Sequence, residues 1–158
     1  MANQITFFAL GGLGEHGKNM YIVEVNDRIF ILDSGIKNPG LDLLGVDAVL
    51  PDMEYFLENK DKVKALFLSH GHIENIGAVP EILKEMNIGV YGTHFTISIL
   101  EKELTELGMN IKDYRLYRIN EDNELMFGNV KVSFYATSHS IPESLGIVIT
   151  TPDGAIVY

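Results

Sequence analysis

Ser69-His70-Gly71-His72-Ile73-Glu74-Asn75 stands between two segments of different periodicity. Before it, Val63-Lys64-Ala65-Leu66-Phe67-Leu68 is a short apolar run that follows the charged turn Asn59-Lys60-Asp61-Lys62 and reads as a buried strand. After it, Ile76, Val79, Ile82, Leu83 and Met86 recur at helical spacing, with Asn75 as the expected N-cap. The stretch is therefore a strand-to-helix loop. Two histidines one residue apart on such a loop can aim both imidazoles at one point, as ligation of zinc, manganese or iron requires.

An isolated His-x-His is more often a pair of polar loop residues, with the neighbouring Glu and Asn capping a helix. The company changes that balance. The chain has five histidines, and a third, His139, follows another strand-like run, Val130-Lys131-Val132-Ser133-Phe134-Tyr135. Imidazoles at the ends of separate strands, facing one edge of a sheet, are a common way of assembling a catalytic metal site.

A chain of 158 residues with 46% apolar content can bury a core and suggests one domain. It contains no apolar run long enough for a membrane helix and no basic, apolar leader, so a cytoplasmic, non-membrane protein is expected. The absence of cysteine removes disulfides and thiolate ligands and agrees with that expectation. A formal charge of -10 argues against a nucleic-acid partner unless the positive charge is local.

Along the chain, residues 5–10 read as a first strand, and 20–25 with 28–33 as a hairpin turning at Asn26-Asp27. Residues 41–50 form an irregular connection, and 52–57 a short helix. After the histidine loop, 89–91 gives a strand and 95–107 a helix stopped by Gly108. Strands are expected over 114–119, 124–127, 130–135, 145–150 and 154–158. An early hairpin, then βαβ units, then more strands fits a sheet-rich α/β sandwich half.

Gly12-Leu13-Gly14-Glu15-His16-Gly17 has the spacing of a dinucleotide fingerprint, but it runs into the strand-like Tyr21-Ile22-Val23-Glu24-Val25 rather than opening a helix, so that reading fails. A loop lining the substrate and a tight strand connection remain as alternatives. His16 reads as a solvated loop residue and His94 as a helix-start residue with no ligating role. The strand aromatics read as core rather than as platforms for bases.

The order of several phrases resembles the ribonuclease J family of the metallo-β-lactamase superfamily. The superfamily signature HxHxDH stands here as His70-Gly71-His72-Ile73-Glu74-Asn75. The phrases Ala9-Leu10-Gly11-Gly12-Leu13-Gly14-Glu15, Gly17-Lys18-Asn19-Met20, Leu32-Asp33-Ser34-Gly35, Leu57-Glu58-Asn59-Lys60-Asp61-Lys62-Val63 and Ser138-His139-Ser140-Ile141-Pro142 carry the family likeness. The resemblance implies an αββα metallo-β-lactamase sandwich. Residues 1–158 would form its N-terminal half, a mixed sheet with helices on one face, and the remainder of the native protein would lie beyond. It implies that His70, His72 and His139 serve one ion and that Asp33 orients the histidine loop from behind. A second ion would need the Asp-His end of the signature, where this chain has Glu74, a weak ligand, and Asn75, a poor one better suited to harder cations. By family resemblance the catalytic set is His70, His72, Glu74 and His139, the metal zinc or manganese, weakly bound or absent, and the substrate RNA, cut as exonuclease or endonuclease. The second position's loss resembles the less active ribonuclease J paralogue of Gram-positive bacteria. That implies slow hydrolysis, or a non-catalytic subunit of a homo- or hetero-oligomer with an active paralogue.

Overall fold

A computed structural model of the chain describes residues 4–41 and 43–158; Asp42, inside the connection read over residues 41–50, lies outside the described residues. Strands β1 (Ile5–Gly11), β2 (Met20–Val25) and β3 (Arg28–Leu32) pair antiparallel, and the β2–β3 hairpin turns at Asn26-Asp27 as its sequence predicts. Asn26 takes a φ of 53°, a left-handed conformation that Asn tolerates better than most side chains. Helix α1 (Glu54–Glu58) then leads to β4 (Val63–Phe67), the short helices α2 (Ile73–Ile76) and α3 (Val79–Glu85) to β5 (Gly89–Gly92), and α4 (His94–Glu106) to β6 (Arg115–Arg118). From β3 onward these strands pair parallel, giving one mixed six-stranded sheet ordered β1-β2-β3-β4-β5-β6. The rest of the chain, β7 (Glu124–Phe127), β8 (Val130–Ala136), β9 (Leu145–Thr151) and β10 (Gly154–Val157), makes a four-stranded antiparallel sheet ordered β10-β9-β8-β7.

Side-chain alternation decides how these layers stack. On one face of the mixed sheet Ile22, Ile29, Ile31, Leu66 and Val90 meet Phe56 of α1, Ile76, Val79, Ile82 and Leu83 of α2 and α3, and Ile97, Leu100 and Leu104 of α4. On the other face Val23, Phe30, Leu32, Ala65 and Phe67 meet Val130, Val132, Phe134, Ile147 and Ile149 of the second sheet. The mixed sheet is covered on both faces, which is why β3 and β4 read as nearly continuous apolar runs. Helices lie on one face, as the sequence predicts, and the second sheet closes the other. Among the described residues no helix is long and apolar enough to cross a membrane, a statement about helices alone.

One helix differs from its expected form. The periodic residues from Ile76 to Met86 belong to two helices rather than one; His72 stands at the N-cap position of α2 without a side-chain cap bond and Ala78 precedes α3, while Asn75 lies inside α2 and is buried. The break is fixed from outside: the Ala78 amide bonds the Ser34 carbonyl at 2.8 Å, and Pro80 opens α3, where its missing N–H costs nothing. Helix α4 starts and stops as its sequence predicts, with Thr93 capping the Thr96 amide and Gly108 at a φ of 74°.

Phe67 is the centre of the inter-sheet core, fully buried with its ring 5.2–6.4 Å from those of Tyr91, Phe134, Phe127 and Phe30. Phe67→Ala is expected to lower unfolding free energy by about 3–5 kcal/mol. Denaturant unfolding of the pair checks this, and a loss well below that range would mean the aromatic layer collapses to fill the space.

Candidate metal centre

The loops at the C-terminal ends of β3, β4 and β8 converge on one side of the molecule. Asp33 and Ser34 follow β3, the Ser69–Asn75 stretch follows β4, and His139 follows β8. Gly35 makes the close passage possible, because a Cβ there would overlap the Glu74 carbonyl. Backbone bonds lace the loops: Ser34 N to Asn75 O at 2.7 Å, Ile36 N to Ile73 O at 3.1 Å, and Asn19 N to Glu74 O at 3.0 Å.

His70, His72 and His139 come together, with their ligand atoms all within 4.8 Å of one another. The three rings stand nearly perpendicular, at centroid distances of 4.9, 4.5 and 4.9 Å. His72 Nδ1 and His139 Nε2 are 3.2 Å apart. Nitrogens about 2.0–2.1 Å from a shared tetrahedral ion lie at roughly that spacing. Two lone pairs facing at this distance repel unless a proton or a cation lies between them.

The third ring is oriented by its neighbour. Ser69 Oγ has one hydrogen, and it is donated to Asp33 Oδ2 at 2.6 Å. The 2.9 Å contact between Ser69 Oγ and His70 Nδ1 therefore requires Nδ1–H as donor, which leaves the Nε2 lone pair for the cluster. Burial first, then the neighbouring His139 and His72, pulls the His70 pKa down from its ordinary 6.5 to about 4, against a smaller upward pull from Glu74. His70 is thus neutral at pH 7, the state a ligand must have. Three imidazoles from two loops, one of them neutral and held in a fixed tautomer, fit a single divalent ion.

Glu74 and Asn75 are placed differently. The Glu74 carboxylate is 4.0 Å from His16 Nε2 on the glycine loop, and it is not part of the histidine cluster. Asn75 Nδ2 donates to Asp33 Oδ2 at 2.6 Å, and Asn75 Oδ1 accepts from Asn19 Nδ2 at 3.2 Å. Both ends of the carboxamide are therefore engaged within the protein. His94 sits at the start of α4, outside the cluster.

Asp33 lies fully buried behind the histidine loop, at a left-handed φ of 57°. It accepts from Ser69 N at 2.8 Å, Ser69 Oγ, Asn75 Nδ2 and the Tyr158 hydroxyl at 2.8 Å. Burial pushes its carboxyl pKa up and the four donors pull it back, leaving it raised. The Tyr158 hydroxyl is pushed up by its own burial and by the adjacent carboxylate. Tyr158 and Asn19 complete this network with no sequence signal of their own to mark them. Only the position of Ser69, a hydroxyl directly before a ligand-type histidine, offered one.

Residues 13–158 match the profile of the Metallo-beta-lactamase superfamily. The chain is 48% identical over 154 residues to "Ribonuclease J 2" of Staphylococcus aureus (strain NCTC 8325 / PS 47), covering 98% of this chain and 28% of that protein. It is 47% identical over 155 residues to "Ribonuclease J 1" of Streptococcus pyogenes serotype M3, again covering 98% of this chain and 28% of the relative. The chain therefore spans little more than a quarter of the length of these curated relatives. In structure it is similar to the metallo-beta-lactamase fold protein YhfI from Bacillus subtilis, with a TM-score of 0.66 at 18% identity, over 96% of this chain and 60% of that one. That likeness concerns the fold alone.

If Ser69 fixes the His70 tautomer, Ser69→Ala is expected to weaken zinc affinity roughly 10–100-fold, as loss of an outer partner of a ligand does. His139→Ala should weaken it further, and Glu74→Ala should leave it within a few-fold. Calorimetric titration with zinc reads all three; wild-type affinity in Ser69→Ala would remove the tautomer argument.

Proposed function

The chain belongs to the metallo-β-lactamase superfamily, and from that premise we propose that it forms the metal-binding part of a ribonuclease J-like RNA phosphodiesterase working with at most one ion, at the three histidines. The observation that carries the proposal is the convergence of His70, His72 and His139 at single-ion spacing, on a chain nearly half identical to two ribonucleases J. Zinc or manganese suits three imidazoles, zinc by ligand softness and manganese by family resemblance.

Held by His70, His72 and His139, such an ion would supply Lewis acidity to a phosphate oxygen and would lower the pKa of a bound water toward neutrality. The chain's own part is positional. Asp33 and Ser69 hold the His70 ring with Nε2 toward the cluster. His139, sequence-distant on the second sheet's loop, closes the set against His72. Glu74 faces His16 of the glycine loop at 4.0 Å, so on this side the chain offers an incoming phosphodiester a carboxylate and an imidazole rather than a second ion. A single ion would leave the attacking and leaving oxygens without the paired clamp of a two-metal site, so this reading expects slow hydrolysis.

A second reading, a non-catalytic subunit associated with an active ribonuclease J paralogue, is favoured by one observation. Asn75, which stands where the signature has its last histidine, has both polar ends bonded to protein partners. On this reading the fold persists as a binding scaffold in a cytoplasmic complex on RNA.

The two readings part on repair of the signature. In the full-length protein, Glu74→Asp with Asn75→His is expected to raise manganese affinity and ribonuclease rate, with a gain larger than the sum of the single changes because both ligands serve one ion. A tenfold gain in rate corresponds to about 1.4 kcal/mol of barrier and is readily measured. His70→Ala in the repaired background should abolish it. If neither affinity nor rate rises, the scaffold reading stands.

A further inference from the structure

We infer that the Asn75 carboxamide is a structural pin that holds the loops of the centre together without an ion on that side. The inference concerns how the centre is held and not what it cleaves, so it stands apart from the ribonuclease reading.

Three segments meet at Asn75: residues 17–19 of the glycine loop, 33–36 after β3, and 73–78 around α2. Their backbones are already laced, with Gly35 N to Asn19 O at 3.0 Å, Lys18 N to Ile36 O at 3.0 Å, Ser34 N to Asn75 O at 2.7 Å and Ala78 N to Ser34 O at 2.8 Å. The Asn75 side chain, itself only 4% exposed, joins all three by giving to Asp33 and taking from Asn19. Its orientation is settled by chemistry: turned over, the amide oxygen would face the Asp33 carboxylate at 2.6 Å, acceptor against acceptor. A ligand at this position must offer a lone pair to the ion. The amide nitrogen has none to offer, and the oxygen is turned to Asn19. The chain of bonds continues from Asp33 through Ser69 to His70, so the pin also reaches the histidine cluster.

The residues here do not fit a second ion, and the pin explains how the loops keep their places without one. A carboxamide carries donor and acceptor on one rigid plane, enough to tie a buried carboxylate to a neighbouring loop.

Amide hydrogen exchange on the full-length protein tests this, with the metal removed by EDTA or supplied as zinc. In the wild type, the amides of Asn19, Ser34, Gly35, Ile36 and Ala78 should exchange at the same rate in both conditions. Asn75→Ala should accelerate exchange in all three segments together, by roughly tenfold or more, as local opening becomes easier. Asn19→Ala should give a smaller acceleration of the same segments, and the double variant little beyond Asn75→Ala, because one bond is shared. Acceleration by EDTA alone in the wild type would mean an ion holds the loops and would overturn the inference, as would an Asn75→Ala effect confined to residues 73–78. Should Asn75→Ala fail to fold, Asn19→Ala decides: faster exchange at 33–36 supports the pin, and unchanged exchange there overturns it. A ribonuclease assay on the same samples reports separately on the RNA proposal.

Discussion

The buried carboxylate of Asp33 is the constraint on which the centre depends. A charge taken fully out of water is costly unless hydrogen bonds replace its hydration. Here the replacements come from three places in the sequence: the Ser69 amide and hydroxyl, the Asn75 carboxamide, and the Tyr158 hydroxyl. Satisfying one anion therefore brings the end of β3, the histidine loop and the strand partnered with β9 to one point. The left-handed backbone of Asp33 is a strain that this bonding sustains.

The two cores serve the same end. Because β3 and β4 are apolar on both faces, the helices and the second sheet clamp them from opposite sides, and their C-terminal ends are placed with little freedom. The Leu145 amide bonds the Ser69 carbonyl at 2.8 Å, so the second sheet holds the histidine loop directly as well as delivering His139 to it. The site thus lies at the shared edge of both sheets, which is why no single βαβ unit could form it.

Much of this was legible in the sequence. The strand before His70 announced itself by apolar composition and a charged turn, the end of α4 by Gly108, and the three ligand-type histidines by their places after strand-like runs. Asp33 behind the loop followed from family resemblance, and the structure places it there. What escaped was set by contacts between distant segments. Helical periodicity from Ile76 to Met86 runs through the break after α2 because both helices present the same face to the sheet; Pro80 is a local sign of the second start, while the bond to the Ser34 carbonyl that fixes the break has no local trace. Asn75 looked like a cap because Asn is a common cap; its partners Asp33 and Asn19 lie 42 and 56 residues away.

The Tyr158 hydroxyl that bonds Asp33 spans 125 residues of sequence, and the His72–His139 contact spans 67. Closing loops of that length carries an entropic cost before any local gain offsets it, and non-local pairing of this kind slows folding. The early hairpin and the parallel strands can form from nearer contacts, but the carboxylate gains its last donor only when the strand bearing Tyr158 has paired with β9. The histidine cluster needs the second sheet as well, because His139 reaches His72 only from the loop after β8. Without that loop His70 and His72 are a pair of imidazoles on one strand end, one ligand short of the cluster.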